Sequence, residues 1–166
     1  MAPLNLSLEA ERQRRRLLNP WLFRAYLIRR IPLAAFAGLR VRRVDEAGCE
    51  VWLPGGWRTR NPFASTYFAA QAMAAEMSTG APAAILVASA PASVAFILRG
   101  IKALFTKRIV GGSVFTFEDV AGLRAAVDRA AAAPEEQAYT GHSTGRTPEG
   151  ELAAEFDVTW SFKRRG

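Results

Sequence analysis

Apolar residues recur at intervals of three and four across residues 7–31, at Leu17, Leu18, Trp21, Leu22, Ala25 and Ile28, while Arg14, Arg15, Arg16 and Arg29 fall largely between them. The spacing predicts an amphipathic helical lead-in. Asn19-Pro20 marks a break and restart, because proline suits a first helical turn, and Pro32 marks its end. Residues 39–44 and 49–53 are short β-type runs joined by Asp45-Glu46-Ala47-Gly48, a hairpin pattern, and Pro54-Gly55-Gly56 closes the second run. Residues 62–77 are apolar on every helical face. Ala69, Ala70, Ala72, Ala74 and Ala75 admit close neighbours and Glu76 is the single charge, so the pattern predicts a helix buried all round and stopped by Gly80 and Pro82. Residues 81–93 fit a short helix or a strand equally. Residues 96–108 and 112–117 read as strands around Ile109-Val110-Gly111, and residues 118–133 as a short exposed helix. The strict alternation of Ala154, Phe156, Val158, Trp160 and Phe162 with polar residues predicts a half-buried strand. Residues 135–146 are its expected partner through the turn Thr147-Pro148-Glu149-Gly150.

A helix buried on all sides needs a curved sheet around it, so the element order predicts one α+β domain. A sheet of this length also leaves a free edge that two copies can join, and a homodimer is the expected state, with a dimer of dimers as the next order. The 166 residues, 50% of them hydrophobic, suffice for one core. Cys49 is the only cysteine, which excludes an internal disulfide and a four-cysteine zinc site and fits a reducing compartment, with the cytoplasm expected. The formal charge of +7 suits an anionic partner without choosing among nucleic acid, membrane and a phosphorylated ligand. Pro82 and Pro91 interrupt the longest apolar run, residues 81–98, and argue against a membrane span. Arg24, Arg29 and Arg30 interrupt the N-terminal run, so no signal peptide is expected.

The segment from Asn61 through Pro62-Phe63-Ala64-Ser65-Thr66-Tyr67-Phe68-Ala69-Ala70-Gln71 to Glu76 is the most informative. It resembles the start of the central helix in hotdog thioesterases of the phenylacetic-acid-degradation type, which show Asn, small residues, His-Gly-Gly, and an acid nine residues after the His. Tyr67, Phe68 and Ala69 stand in place of His-Gly-Gly, and Glu76 in place of the acid. Arg60-Asn61-Pro62-Phe63, Tyr67-Phe68 and Ala74-Ala75-Glu76 resemble still more an uncharacterised bacterial branch of the same superfamily, a domain family of unknown function, over residues 17–162. The resemblance implies a hotdog fold over residues 35–166, with residues 1–34 as a helical extension and a thioesterase-like site at a dimer interface.

Thioester hydrolysis needs a carboxylate that serves as base or nucleophile, and donors where charge develops on the carbonyl oxygen. Glu76 is the candidate for the first and the free amides near Tyr67 to Ala69 for the second. The alternative for Glu76 is an ion pair with Arg58 or Arg60. Tyr67 offers a hydroxyl, Phe68 adds bulk where glycine normally permits close approach, and Gln71 can orient water or bond a carbonyl. Asn61 completes the candidate catalytic set by its place in the pattern. Lys102, Lys107 and Arg108, with Arg58 and Arg60, are the candidate phosphate contacts, coenzyme A being part of the substrate and no separate cofactor being implied; a solvated strand edge is the alternative.

His142, the only histidine, sits beside Ser143 without a nucleophile elbow, which disfavours a Ser-His-Asp arrangement, and one His with one Cys leaves a metal only carboxylates. Gly111-Gly112-Ser113 lacks the Lys and spacing of a phosphate loop. The leading reading is therefore an acyl-CoA thioesterase, and the second a non-catalytic protein that holds an acyl chain or acyl-CoA. A third places Trp21, Phe23, Tyr26 and Leu27 with Arg14, Arg15, Arg16, Arg24, Arg29 and Arg30 at a membrane surface, against the favoured expectation that this segment packs on its own sheet or dimer mate. Nucleic acid is not an expected partner, since no RNA- or DNA-binding motif occurs.

Overall fold

The computed structural model describes residues 6–166; the first five residues of the expected N-terminal extension lie outside them. Three helices lead, α1 (Leu8–Leu18), α2 (Pro20–Arg30) and α3 (Pro32–Ala37). Each boundary has a local cause. Ser7 caps α1 by accepting from the Ala10 amide, and Asn19 caps α2 by accepting from the amides of Trp21 and Leu22, with Pro20 in the first turn. Within α1, Glu11 bonds Arg14 and Arg15, which holds its carboxyl down at about 2. Pro32, expected to end the helical segment, does end α2 but also opens α3, because its missing N–H costs nothing in a first turn. Gly38 closes α3 at a left-handed φ of 80°, a conformation glycine adopts without strain.

The hairpin follows as expected, with β1 (Arg40–Asp45) and β2 (Gly48–Leu53) joined by a turn in which the Asp45 carboxylate accepts from the amides of Ala47 and Gly48. Then come α4 (Phe68–Ser89), β3 (Val94–Phe105), β4 (Ser113–Phe117), α5 (Val120–Ala132), β5 (Gln137–Arg146) and β6 (Leu152–Arg164). The strands form one antiparallel curved sheet in the order β1-β2-β4-β5-β6-β3, with α4 in its concave side. This is the hotdog fold. Its core places Cys49, Val51, Leu53, Phe115, Phe117, Phe156, Val158 and Phe162 around Ala74, Ala75, Ala83 and Ile85 of α4. Each large side chain buried there contributes roughly 1.5–3 kcal/mol.

Two expectations need correction. The central helix does not run over residues 62–77: it begins at Phe68, because residues 61–67 form a closed loop, and it passes through Gly80 and Pro82 to Ser89. Pro82 removes one backbone bond, a cost of about 3 kcal/mol, but it is buried with Ala81, Ala83, Ile85 and Leu86, and that packing keeps the helix continuous. Residues 81–89, left open between helix and strand, thus belong to α4. The other correction concerns α5, which is not simply exposed: Leu123, Ala126, Val127 and Ala130 form a buried stripe against the sheet.

The sheet has two outer strands, β1 and β3. Along β3, Phe96, Leu98, Ile101, Ala103 and Phe105 stand opposite Phe162, Trp160, Val158, Phe156 and Ala154, so they share the side that faces α4. Ile97, Lys102 and Leu104 take the other side. From Leu98 to Phe105 the strand is exposed on both.

Candidate functional site

The loop before α4 is organised by Asn61. Its Oδ1 accepts from the amides of Phe63 and Ser65 at 3.0 and 3.1 Å and from the Ser65 hydroxyl at 3.1 Å. Ala64 is forced into the left-handed region, φ 56°, a strain that the loop's own bonds hold in place. Thr59 accepts from the Tyr67 amide through its carbonyl at 2.7 Å, and the chain enters α4 with Tyr67 as its extended N-cap residue. Asn61 therefore builds the helix start, its carbonyl oxygen fully used there.

At that start the amides of Phe68 and Ala69 have no acceptor among the described residues, and the Tyr67 side chain does not cap them. They sit beside a cavity of about 630 Å³ lined by the loop, by Tyr67, Phe68 and Gln71, and by Phe105 to Ile109 from the end of β3. Gln71 is buried. Its Nε2 donates to the Thr66 carbonyl at 3.0 Å, which fixes the amide's orientation because a carbonyl only accepts, and its Oε1 has no partner. An unused buried acceptor next to two unused donors is costly unless a ligand or water completes it. Tyr67 and Phe68 contact each other edge to face at 4.7 Å and are both largely exposed at the mouth.

Glu76 lies eight residues beyond Phe68, about 12 Å along the helix, and belongs to a different cavity. This one, of about 850 Å³, lies between α4 and the N-terminal helices, with Leu17, Leu22, Phe23, Tyr26, Leu27 and Ile31 on one wall and Met77, Phe96 and Trp160 on the other. Glu9, Arg12 and Arg16 also line it. Burial among these groups raises the Glu76 carboxyl above its ordinary range. No ion pair or hydrogen bond to its side chain exists among the described residues, so the expected alternative of a pair with Arg58 or Arg60 is overturned. Both arginines are exposed and line neither cavity.

Gly80, one turn after Glu76, supplies the room. A Cβ there would stand 3.1 Å from Glu76 Oε1 and 3.0 Å from the Trp160 ring, and that ring is held by its Nε1 donating to Thr79 Oγ1 at 2.9 Å. The glycine expected to stop the helix instead accommodates the carboxylate.

The candidate phosphate contacts separate. Lys107 and Arg108 line the cavity at the helix start, where Lys107 pairs with Glu151 at 2.9 Å and Arg108 donates to the Phe63 carbonyl at 2.6 Å. Lys102 stands opposite Asp157 on the sheet face away from α4, and does not join them. His142 bonds Asp157 at 2.9 Å on that same face, whereas Ser143 points inward to Ser78. No group of His, Cys, Asp and Glu suited to hold a metal occurs among the described residues. What the sequence reading missed is the contribution of the N-terminal helices and Trp160 to the Glu76 cavity. The exposed flank of Leu22 and Tyr26 was the available signal, but nothing local pairs it with residue 76.

The profile described as "Domain of unknown function (DUF4442)" matches residues 19–160. Among solved structures, a Chlorobaculum tepidum protein of unknown function is similar at 12% identity and a TM-score of 0.73, over 89% of this chain and 98% of that one. A Pseudomonas aeruginosa protein of unknown function, described as a probable thioesterase, is similar at 19% identity and a TM-score of 0.69, over 99% of both chains. A thioesterase from Haemophilus influenzae is similar at 14% identity and a TM-score of 0.65, over 88% and 91%. None of the curated proteins matches the chain.

Proposed function

The chain belongs to the DUF4442 family, and on that premise we propose that it hydrolyses acyl-CoA thioesters at a site completed across a homodimer interface. The observation that carries this reading is Glu76, a half-buried carboxylate with no ion pair or hydrogen bond to its side chain among the described residues, in a cavity walled mainly by apolar groups but also lined by Glu9, Arg12 and Arg16. A carboxylate drawn largely out of water without a partner is costly and is retained where its chemistry is needed.

Within one chain, Glu76 and the free amides of Phe68 and Ala69 are too far apart to meet one carbonyl. They lie, however, near opposite ends of β3: Phe96 lines the Glu76 cavity and Phe105 the cavity at the helix start. Antiparallel pairing of two β3 strands lays the Phe105 end of one against the Phe96 end of its partner, so each helix start meets the partner's Glu76. It also covers Ile97, Leu98, Ile101, Leu104 and Phe105, an apolar edge otherwise open to aggregation. In the resulting site Glu76 takes a proton from water, the hydroxide adds to the thioester carbonyl, and the Phe68 and Ala69 amides donate to the oxyanion. Collapse breaks the carbon–sulfur bond and releases the thiolate, which takes the proton from Glu76. Gln71 Oε1 accepts from the attacking water, and Lys107 and Arg108 face the nucleotide of coenzyme A.

One observation favours a second reading, retention of an acyl thioester without turnover: the Tyr67 and Phe68 side chains crowd the mouth beside the free amides. Thiol release from short, long and aromatic acyl-CoA thioesters, measured for the native chain and Glu76→Gln, separates the two. Base catalysis predicts a loss of roughly a hundredfold or more in the variant. Equal rates remove Glu76 from the mechanism, and acyl-CoA that co-elutes with a folded but inactive protein establishes retention instead.

A further inference from the structure

The N-terminal helices carry an apolar face that the fold leaves bare. Phe23 and Leu27 turn α2 into the core, and Leu22, Tyr26 and Ile31 line the Glu76 cavity. Trp21 and Ile28, seven residues apart and therefore on one side of the helix, are 82% and 58% exposed. Of the favoured expectation, that this segment packs on its own sheet or on a dimer mate, the first half does not hold for these two residues. In α3, Leu33 and Phe36 share a side and are 64% and 50% exposed, and Phe36 meets the 74% exposed Trp57 edge to face at 5.6 Å. The patches adjoin: Trp21 and Arg24 line a shallow cleft with Gly38 and Arg40, and the Arg58 guanidinium lies against Gly38.

Residues 12–44 contain ten arginines and no acid. Arg24, Arg29, Arg30, Arg40 and Arg58 are exposed and have no acidic partner among the described residues. A self-contact about a two-fold would set this patch against itself and oppose the arginines. Indole, phenyl and branched aliphatic groups ringed by unpaired guanidinium groups match the interface of an anionic bilayer, where rings enter the acyl boundary and arginines meet lipid phosphates. The patch lies by β1, at the sheet edge opposite β3, so pairing through β3 leaves it free. No helix among the described residues is long and apolar enough to cross a membrane, which leaves contact in the plane of the surface.

We propose that α2, α3 and Trp57 form a docking surface for an anionic lipid bilayer. The same helix then touches lipid with its outer side and walls the Glu76 cavity with its inner side.

The test is co-sedimentation of the full chain with vesicles of phosphatidylcholine alone and of about 3:1 phosphatidylcholine to phosphatidylglycerol, at low and high salt. Pelleting is expected with the anionic vesicles only, reduced by salt, and weakened about tenfold or more by Trp21→Ser with Ile28→Ser and, separately, by Arg24→Glu with Arg29→Glu. Circular dichroism establishes that each variant is folded, and the readout is independent of hydrolysis. Absence of pelleting, or native pelleting by either double variant, overturns the proposal. So does a concentration-dependent mass that Trp21→Ser reduces while vesicles fail to bind, since the patch would then join copies of the chain.

Discussion

At its N-terminal end α4 presents hydrogen-bond donors and an orphaned amide oxygen beside Lys107 and Arg108, whereas about 12 Å further along it presents Glu76 to a cavity walled mainly by Leu, Phe, Tyr and Trp side chains, with Glu9, Arg12 and Arg16 also lining it. The first region is polar because a helix start cannot satisfy its own amides. The second is drawn largely out of water because the N-terminal helices close over it with Leu17, Leu22, Phe23 and Leu27. The first offers free backbone donors of the kind a developing oxyanion needs, the second a carboxyl raised by burial. On the proposed reading, one continuous helix holds two halves of one chemistry, and pairing at the strand edge between them governs whether they meet.

The strongest way to break this comparison is to prevent the meeting. Ile101→Lys with Leu104→Lys puts charge on both exposed sides of β3 and is expected to give a folded monomer in sedimentation, with thiol release reduced about a thousandfold, since both base and donors are lost to each other. A fully active monomer would refute the composite site.

A smaller effect sharpens the donor end. Tyr67 already has φ −64° and ψ 136°, which suits a residue before proline, so Phe68→Pro deletes one amide while keeping the helix start. A loss of about a hundredfold is expected against a Phe68→Ala control. Mixing this variant with Glu76→Gln should restore about a quarter of native activity, because half of a random mixture is heterodimer with one intact site. No recovery after confirmed subunit exchange argues that both groups act within one chain.

The smallest effect concerns stability. Burial raises the Glu76 carboxyl above its unfolded value, so the folded chain holds the proton more tightly and ionisation at higher pH costs stability. Glu76→Gln should therefore match the native Tm below about pH 4 and exceed it by about 2–4 °C once pH passes the raised value. Over the same window native activity should rise with pH as the carboxylate forms. A variant less stable at neutral pH would mean that Glu76 has a stabilising partner.

Much of this architecture was legible locally. The caps at Ser7 and Asn19, the Asp45 turn, the alternation of β6 and the all-round apolarity of α4 depend on neighbours within a few residues, and their short-range chemistry points the same way as the fold. Gly80 and Pro82 misled for the same reason: taken alone they break helices, and only burial on every side and the Trp160 ring make glycine and proline acceptable there.

The candidate residues divide likewise. Glu76 stood out in the sequence because an acid on an apolar helix has few uses. Its surroundings did not, because Leu22 and Tyr26 lie about fifty residues before it and Trp160 more than eighty after it. The sequence by itself determined which groups could do chemistry and which elements carry them, since propensity, capping and periodicity act over a few residues. The tertiary structure alone decided that donors and carboxylate occupy separate cavities, that Lys102 faces away from Lys107, and that Trp21 and Ile28 remain bare, because those outcomes depend on chain segments brought together only when the sheet closes around α4.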